Sequence, residues 1–308
     1  MAAKRRIVPG LIDVVDVSDP AEIKALAGDP RLDRVFGTRT CPINWLLLTR
    51  SLTVLSFRGR RFPTMMPRGD VARALHQQQL WSTLSDKATA IRHGPVELEP
   101  LSNWVRGVGT DAEVGILVQQ LLGRLFSSDF VATSESWSAA KTLVAAPRSR
   151  NWPQLAWWFV SGKVRRAKRL LASMVNGDLS GVNAIGIAAH NVVKSMRHLR
   201  FLYADGVQRA SLSPEDAVEQ SLFAPVSIYR QATEPGQVGD CPFSRHSLFV
   251  LSIGEASQQA NGRSLVFMDD TWSRCPANVW VPAMLHGVWT RACALGEPGT
   301  RMPPGVVA

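Results

Sequence analysis

The longest helical pattern in the chain runs over Asp178–Tyr203 and most strongly limits what this sequence can fold into. Apolar side chains such as Val182, Ile185 and Ala189 recur there at the three- and four-residue spacing of one helix face. At 1.5 Å per residue such a helix is about 38 Å long, which is enough to cross a whole domain. We therefore expect a long central helix with the other elements packed around it.

The other patterns predict more helices and only a little sheet. Helical spacing or capping signals occupy 21–27, 71–91, 111–125, 157–175, 213–223 and 278–295, and strand patterns occupy 11–17, 226–233 and 247–253. There is no internal repeat and no linker long enough to separate two domains. The sequence predicts one domain over residues 1–308, mostly α with a small β region.

Composition excludes several classes of protein. Hydrophobic residues make up 45% of the chain and charged residues 19%, which excludes bulk disorder. No run of 18 apolar residues is present, so we expect no membrane span and no membrane partner. The basic start is not followed by the apolar stretch of a secretory signal, which favours a cytoplasmic location. Four scattered cysteines are too few for a disulfide framework.

The net charge of +10 favours acidic partners, because Lys and Arg outnumber Asp and Glu by 35 to 25. Segments such as Gly162–Arg169 concentrate the excess. The simplest interpretation is a solvated basic helix face. An acidic electron-donor protein or another acidic partner is the main alternative. Nucleic acid is disfavoured, since no recognised binding motif is present and aromatic residues do not interleave with the basic runs.

The segment Leu265–Ala277 is the best candidate for chemistry, since common phosphate-binding, zinc-protease and serine-hydrolase motifs are absent. Cys275 lies there just before a predicted helix, where backbone amides and the helix dipole favour a thiolate. Such a thiolate would serve as a nucleophile or as an axial ligand to haem iron. A buried structural cysteine is the alternative.

The order of elements around this segment resembles the C-terminal part of the cytochrome P-450 family, the haem-thiolate monooxygenases. After the long helix come Ala217–Glu219, Tyr229–Glu234, Ser247–Leu251 and finally Ser273–Pro276 before the last helix. The resemblance is colinear over most of the chain. It implies a truncated cytochrome P-450-like fold that lacks parts of the family's N-terminal and C-terminal regions.

The resemblance also implies a cofactor and its ligands. By position, Cys275 is similar to the cysteine that ligates the iron of haem b, and Arg230 to an arginine that pairs with a haem propionate. His76 falls where a helix of the family contacts a propionate, and Arg274 lies beside the cysteine in place of a basic residue two positions before it. The partner that this implies is a small organic substrate, together with an acidic electron-donor or scaffold protein.

Two ion-pairing patterns of the family are missing. The Glu and Arg of its ExxR pair fall on Gln220 and Phe223, and the Arg that follows His76 by four residues is Leu80. Trp272, three residues before Cys275, is expected to pack in the core, or alternatively to shape the proximal face of a haem through its indole N–H.

The oxygen-activating acid–alcohol motif of the long helix is also replaced. The corresponding residues are Asn191 and Val192, which have neither a titratable proton nor a hydroxyl group. His190 is a candidate acid or base with a pKa near neutral, and a structural histidine is the alternative. We therefore expect a haem-thiolate enzyme that performs an oxidative or rearrangement step by a non-standard route. The alternative is a non-catalytic scaffold of the same descent that binds a partner protein.

Overall fold

Helices make up most of the molecule, as expected. The computed structural model describes residues 3–36, 41–93, 95–147, 153, 157–158, 160–259 and 262–296. Within those residues the helices are α1 (Pro20–Gly28), α2 (Pro42–Val54), α3 (Val71–His93), α4 (Glu99–Val105), α5 (Val114–Arg124), α6 (Ser134–Ala145), α7 (Lys163–Met174), α8 (Leu179–Asn183), α9 (Ala189–Ala204), α10 (Gly206–Ser211), α11 (Pro214–Ser221), α12 (Ile253–Ala256) and α13 (Trp280–Leu295). Short 3₁₀ turns cover Pro63–Met65, Pro95–Leu98, Arg263–Leu265 and Pro276–Asn278.

The β region is small and is built from the two ends of the described chain. The strands are β1 (Lys4–Val8), β2 (Ile12–Val17), β3 (Leu32–Asp33), β4 (Ser56–Phe57), β5 (Arg60–Arg61), β6 (Ile228–Ala232), β7 (Gly236–Val238), β8 (Cys241–Phe243) and β9 (Leu248–Leu251). The main sheet has the order β1-β2-β9-β6-β3, and β4-β5 and β7-β8 form two separate ribbons. Strand β2 runs parallel to β9, whereas β6 runs antiparallel to β9 and places Arg230 opposite Phe249.

The long central helix exists, but it is not one continuous α-helix. Helix α8 passes into a π-helical turn at Ala184–Ala188, and α9 continues from Ala189. The predicted helix over 157–175 is also interrupted, because Gly162 has φ of +69° before α7 begins at Lys163. A backbone in that left-handed region favours glycine and ends a helix.

Two hydrophobic cores meet at the loop that contains Cys275. The larger is helical and includes Trp104, Met196 and Trp289, whereas the smaller lies against the main sheet and includes Ile23 and Phe249. Phe267 packs against both cores. Helix α13 follows the loop and packs against α3, α4 and α11.

Across the described residues, none of the helices is both long enough and apolar enough to cross a lipid bilayer.

Candidate functional site

The loop that carries Cys275 is held in a fixed shape by its own hydrogen bonds. The amide of Cys275 donates to the carbonyl of Phe267 at 2.8 Å, and the amide of Asn278 donates to the carbonyl of Cys275 at 3.2 Å. The Asp269 carboxylate accepts from Asn278 Nδ2 at 2.9 Å and from Arg274 Nε at 3.1 Å. Because both ends of the loop are tied to Asp269 and Phe267, the position of the sulfur is defined by the surrounding backbone.

The surroundings of Cys275 favour the neutral thiol over the thiolate. Burial raises the pKa of Cys275, and the nearby Asp269 raises it further, whereas the backbone N–H of Ala277 and the charge of Arg34 lower it. The sequence predicts a thiolate stabilised by the helix N-terminus. The structure places the 3₁₀ turn Pro276–Asn278 between the cysteine and α13, and the Ala277 amide in that turn donates to the sulfur.

Three arginines surround the indole ring of Trp272. The guanidinium carbons of Arg34, Arg73 and Arg230 lie 4.9, 4.5 and 5.0 Å from centroids of that ring system. A guanidinium nitrogen of Arg73 also donates to the Trp272 carbonyl. We call these three residues the arginine cluster.

Arg230 is the most deeply buried member of the arginine cluster. Its side chain projects from β6, and the residue is 0% exposed. One terminal nitrogen donates to Ser273 Oγ at 2.7 Å and the other donates to the Tyr229 carbonyl at 2.8 Å. Its Nε and the Nε1 of Trp272 are both buried, without hydrogen-bond partners among the described residues. Two buried donors therefore point into the site without an acceptor.

The electrostatics of the arginine cluster are unfavourable without an anion. Burial lowers the pKa of Arg230 to about 9, even though Asp33 raises it. Burial, with repulsion from Arg230 and Arg73, places the pKa of Arg34 well below its usual range. Burial also lowers the pKa of Arg73. With three guanidinium groups and Asp33 as the opposing carboxylate, the site favours a ligand that carries negative charge.

Helix α3 contributes Arg73 to the arginine cluster, and the propionate contact of His76 stays a prediction. Gln77 Nε2, one turn after Arg73, donates to the carbonyl of Arg274 at 2.9 Å, so this face of α3 lies against the cysteine loop. His76 is half-buried on the same helix, and within the described part of the chain it has no hydrogen bond to the loop. No signal in the local sequence of α3 identifies Arg73.

The predicted ligand Arg274 is engaged elsewhere. Its Nε pairs with Asp269 at 3.1 Å, and its guanidinium carbon lies 4.0 Å from the ring centroid of Trp81. Both its guanidinium, through Trp81, and its backbone carbonyl, through Gln77, therefore face α3. The residues that sequence reasoning missed are Arg34 and Arg73, which are remote from Cys275 in sequence.

His190 and Asn191 follow the π-helical turn of the central helix. The ring of His190 stacks on Trp137 of α6, with a centroid distance of 4.5 Å and an interplanar angle of 24°. Both His190 and Asn191 are half-buried. Gln119 of α5 donates to the carbonyl of Ile185 at 3.0 Å, within the turn. π-helical turns are frequent at functional sites, and this one sets the direction in which His190 points.

The residues at the positions of the missing ion pair are Gln220 in α11 and Phe223 just after that helix. Gln220 is exposed, and the ring of Phe223 lies 5.6 Å from that of His198. The neighbouring Glu219 instead approaches Arg263 at 3.9 Å. The sequence predicts that the family's internal Glu–Arg pair is missing. The structure has a weak surface contact between Glu219 and Arg263 beside these positions.

An open cavity of about 440 Å³ is lined by residues that are adjacent in sequence to two members of the arginine cluster. Its lining includes Val35, which follows Arg34, and Ala72, which precedes Arg73, together with Arg60 and Arg61. A second open cavity of about 590 Å³ lies at the end of α9. In the described chain no group of three or more His, Cys, Asp or Glu residues is arranged to hold a metal ion.

Comparison with known proteins identifies the fold. No protein-family model matches the sequence, and no curated protein matches it. Among solved structures, a six-coordinated cytochrome P-450 from Thermus thermophilus has a TM-score of 0.64 at 15% identity, covering 94% of this chain and 85% of that one. The methyl hydroxylase of Micromonospora griseorubida bound to mycinamicin VIII has a TM-score of 0.63 at 13% identity, with 94% and 85% coverage.

A third structure gives the same result. The cytochrome P-450 of Novosphingobium aromaticivorans has a TM-score of 0.59 at 13% identity and covers 95% of this chain and 85% of its own. In all three cases the agreement extends over nearly the whole chain. The fold of this protein is that of the cytochromes P-450.

Proposed function

We propose that this chain binds haem through Cys275 and carries out an oxidative or rearrangement step on a small organic molecule. The observation that carries the proposal is the arginine cluster beside the cysteine loop. Haem b carries two propionate carboxylates and needs one axial ligand. The site offers three buried guanidinium groups and the sulfur of the half-buried Cys275, so its donor set fits this cofactor.

The unpartnered donors support the same assignment. Arg230 Nε and Trp272 Nε1 are buried and lack acceptors in the described chain. Carboxylate oxygens accept charge-assisted hydrogen bonds from guanidinium groups in a planar, often bidentate geometry. A propionate held by Arg34, Arg73 and Arg230 would satisfy these donors and relieve the repulsion between the arginines.

The sulfur of Cys275 must lose its proton to bind iron. A metal cation removes the proton of a coordinating thiol, and this reverses the effect of burial on the pKa. The Ala277 amide and Arg34 both favour the charged sulfur. These two groups are the residues of this chain that would stabilise the ligated thiolate.

Haem held by a thiolate supplies oxidation with dioxygen or peroxide, or rearrangement without external electrons. In this chain we assign proton transfer on the distal side to His190, whose ring is oriented by Trp137. Asn191 would orient a substrate or a water molecule, because its amide donates and accepts hydrogen bonds but has no titratable proton. The standard acid–alcohol route is therefore not part of the proposal.

A partner follows only for some of these reactions. A reaction that consumes external electrons would need an acidic electron-donor protein that matches the net charge of +10. Use of peroxide, or rearrangement, would need the small-molecule substrate alone. Cytoplasmic location stays an expectation from the sequence.

The second candidate function is a non-catalytic scaffold that binds a partner protein. It is favoured by the raised pKa of the Cys275 thiol and by Gln220 and Phe223 at the positions of the ExxR pair. Under that interpretation the arginine cluster binds no porphyrin, and purified protein mixed with hemin shows no specific absorption change.

The test is reconstitution with hemin, followed by reduction in the presence of carbon monoxide. We expect the Soret band of the native chain to shift to the red position typical of thiolate ligation. Cys275→Ser should lose that shift, whereas Cys293→Ser, an exposed cysteine at the end of α13, should keep it. If Cys275→Ser retains the band, Cys275 is not the ligand.

A further inference from the structure

The net positive charge of the protein is concentrated around α7. Between Glu135 and Asp178 the sequence contains eight lysines and arginines and no aspartate or glutamate, compared with a net charge of +10 for the whole chain. A stretch without acidic residues cannot neutralise its own charge by local ion pairs. It therefore presents a positive field to solvent.

Three arginines of α7 point away from the core. Arg165, Arg166 and Arg169 are exposed, whereas Val164 and Leu171 on the opposite face are buried in the helical core. At 100° per residue the three arginines fan over one side of the helix. The helix is thus apolar on its inner face and cationic on its outer face.

Large apolar side chains stand beside this cationic face. Trp157 is 67% exposed and Val160 is 84% exposed, and both lie in the helical turn just before Gly162. The amide of Ser161 donates to the carbonyl of Trp157 at 2.8 Å, which fixes that turn. Lys163 Nζ, at the start of α7, lies 5.4 Å from the ring centroid of Trp158. The basic residues of α7 therefore begin next to the apolar turn.

We infer that this surface binds the headgroup region of an anionic lipid bilayer. We define the α7 surface as Trp157, Val160, Lys163, Arg165, Arg166 and Arg169. Basic side chains are attracted to anionic headgroups, and exposed tryptophan and aliphatic side chains lose unfavourable contact with water at the acyl boundary. This contact needs no membrane-spanning helix, but it departs from the sequence-based expectation of no membrane partner.

A lipid surface fits the α7 surface better than a nucleic acid does. Phosphates of a nucleic acid would pair with the arginines but would leave Val160 in water, since an aliphatic side chain has no partner on a phosphate backbone. A bilayer satisfies both parts of the surface at once. The inference does not depend on haem binding, because none of these residues belongs to the cysteine loop or the arginine cluster.

The experiment is flotation of the purified chain with two kinds of vesicle. One kind is phosphatidylcholine alone, and the other contains about one third phosphatidylglycerol, which is anionic. We expect binding to the anionic vesicles only, weakened as salt is raised. Failure to bind the anionic vesicles at low salt overturns the inference.

The charged part is tested by Arg165→Glu, Arg166→Glu and Arg169→Glu together. We expect a loss of vesicle affinity of about a hundredfold, because each basic residue near an anionic surface contributes about a fivefold factor. The matched control reverses three exposed basic residues elsewhere, Lys4, Lys87 and Arg245, to Glu. It has the same net charge and should keep more than half of the bound fraction; equal loss in both variants contradicts a specific surface.

The apolar part is tested by Trp157→Ala with Val160→Ser. We expect about a tenfold loss of affinity, whereas Val207→Ser, a 77% exposed valine on α10, should change nothing. Unchanged binding in the double variant would mean that the charge alone acts, and this overturns seating at the lipid interface. A duplex DNA of random sequence is the competitor, and binding to DNA without binding to vesicles also overturns the inference.

Discussion

Like charges that share a buried site raise one another's free energy, and Arg34 shows this effect most clearly. Its pKa is lowered by burial and then by Arg230 and Arg73. Such a site destabilises the folded state unless a ligand carries the opposite charge. A purely structural role would be served better by an apolar side chain of the same length.

Replacing Arg34 with methionine should therefore separate stability from ligand binding. We expect Arg34→Met to raise the free energy of unfolding of the cofactor-free chain, because repulsion in the arginine cluster falls. The affinity for hemin should fall about tenfold, as expected for one lost charge-assisted pair of roughly 1.5 kcal/mol. Urea unfolding and quenching of tryptophan fluorescence by hemin measure the two effects.

The control for Arg34→Met is Arg245→Met, which removes an exposed arginine outside the arginine cluster. It should leave both quantities unchanged. Hemin dimethyl ester, which lacks free carboxylates, should bind the native chain and Arg34→Met equally. If the Arg34→Met variant still prefers hemin over the ester as strongly as the native chain does, Arg34 does not contact a carboxylate.

Sequence reasoning found some residues of this site and missed others for a physical reason. Cys275 and Arg230 stand in recognisable local order near the C-terminus, and the structure places Arg230 beside the cysteine loop. Arg34 and Arg73 reach the same place only through the packing of β3 and α3 against that loop. Nothing in the local sequence of α3 distinguishes Arg73 from His76, since the choice depends on the rotation of the helix.

At the scale of elements, one feature that periodicity did not predict is the π-helical turn at Ala184–Ala188. The apolar spacing of the central helix is nearly the same with or without one extra residue in a turn. The hydrogen bond from Gln119 to the Ile185 carbonyl depends on α5, which is distant in sequence. The existence of the helix was predictable, but the direction of His190 was not.

The contact between α5 and α6 positions Trp137 and thereby His190. A Cβ atom placed on Gly115 would lie 2.0 Å from Trp137 Cε2, far inside contact distance. We expect Gly115→Ala to destabilise the fold by about 1–3 kcal/mol and to change the pKa of His190 measured by NMR. Gly69→Ala, where a Cβ meets nothing within 4 Å, is the control and should do neither. An unaltered His190 titration in a folded Gly115→Ala variant would show that Trp137 does not orient the imidazole.

Lys168 joins α7 to the end of α2 and makes this junction sensitive to pH. Its Nζ donates to the carbonyls of Thr53 at 2.6 Å and Ser56 at 2.5 Å, and burial lowers its pKa from 10.5 to about 8. The folded state therefore binds fewer protons than the unfolded state between pH 8 and 10.5. The buried charge of Lys168 therefore lowers the free energy of unfolding by its full amount below pH 8. This loss of stability disappears as the pH rises from 8 to 10.5.

The prediction for Lys168 is a difference between two proteins. We expect the free energy of unfolding of the native chain, measured in urea, to rise relative to that of Lys168→Met between about pH 7.5 and about pH 9.5. This range spans the pKa of Lys168 in the folded state. Lys87→Met, which removes an exposed lysine of α3, should follow the native chain at every pH. Parallel curves for the native chain and Lys168→Met would place the pKa of Lys168 near its ordinary value.

At the scale of the whole molecule, the candidate site lies where the two cores meet. Phe267 and Leu222 pack against both the helical core and the sheet core. A ligand that contacts Cys275 in the loop, Arg230 on β6 and Arg73 on α3 would join elements from both cores. Binding of this ligand should therefore stabilise both cores together against unfolding, rather than only one of them.

This gives a prediction for thermal unfolding with hemin. At a free concentration of about 100 times Kd, binding adds about 2.7 kcal/mol, which corresponds to a rise in Tm of about 5 °C for a chain of this size. Far-ultraviolet circular dichroism follows the helices, and amide hydrogen exchange of β6 and β9, measured as the temperature rises, follows the sheet core. The two probes should report the same raised Tm, and Cys275→Ser should give a smaller rise because only the carboxylate contacts remain. If hemin shifts one probe and not the other, the ligand stabilises a single core, and a site that bridges β6, α3 and the cysteine loop is excluded.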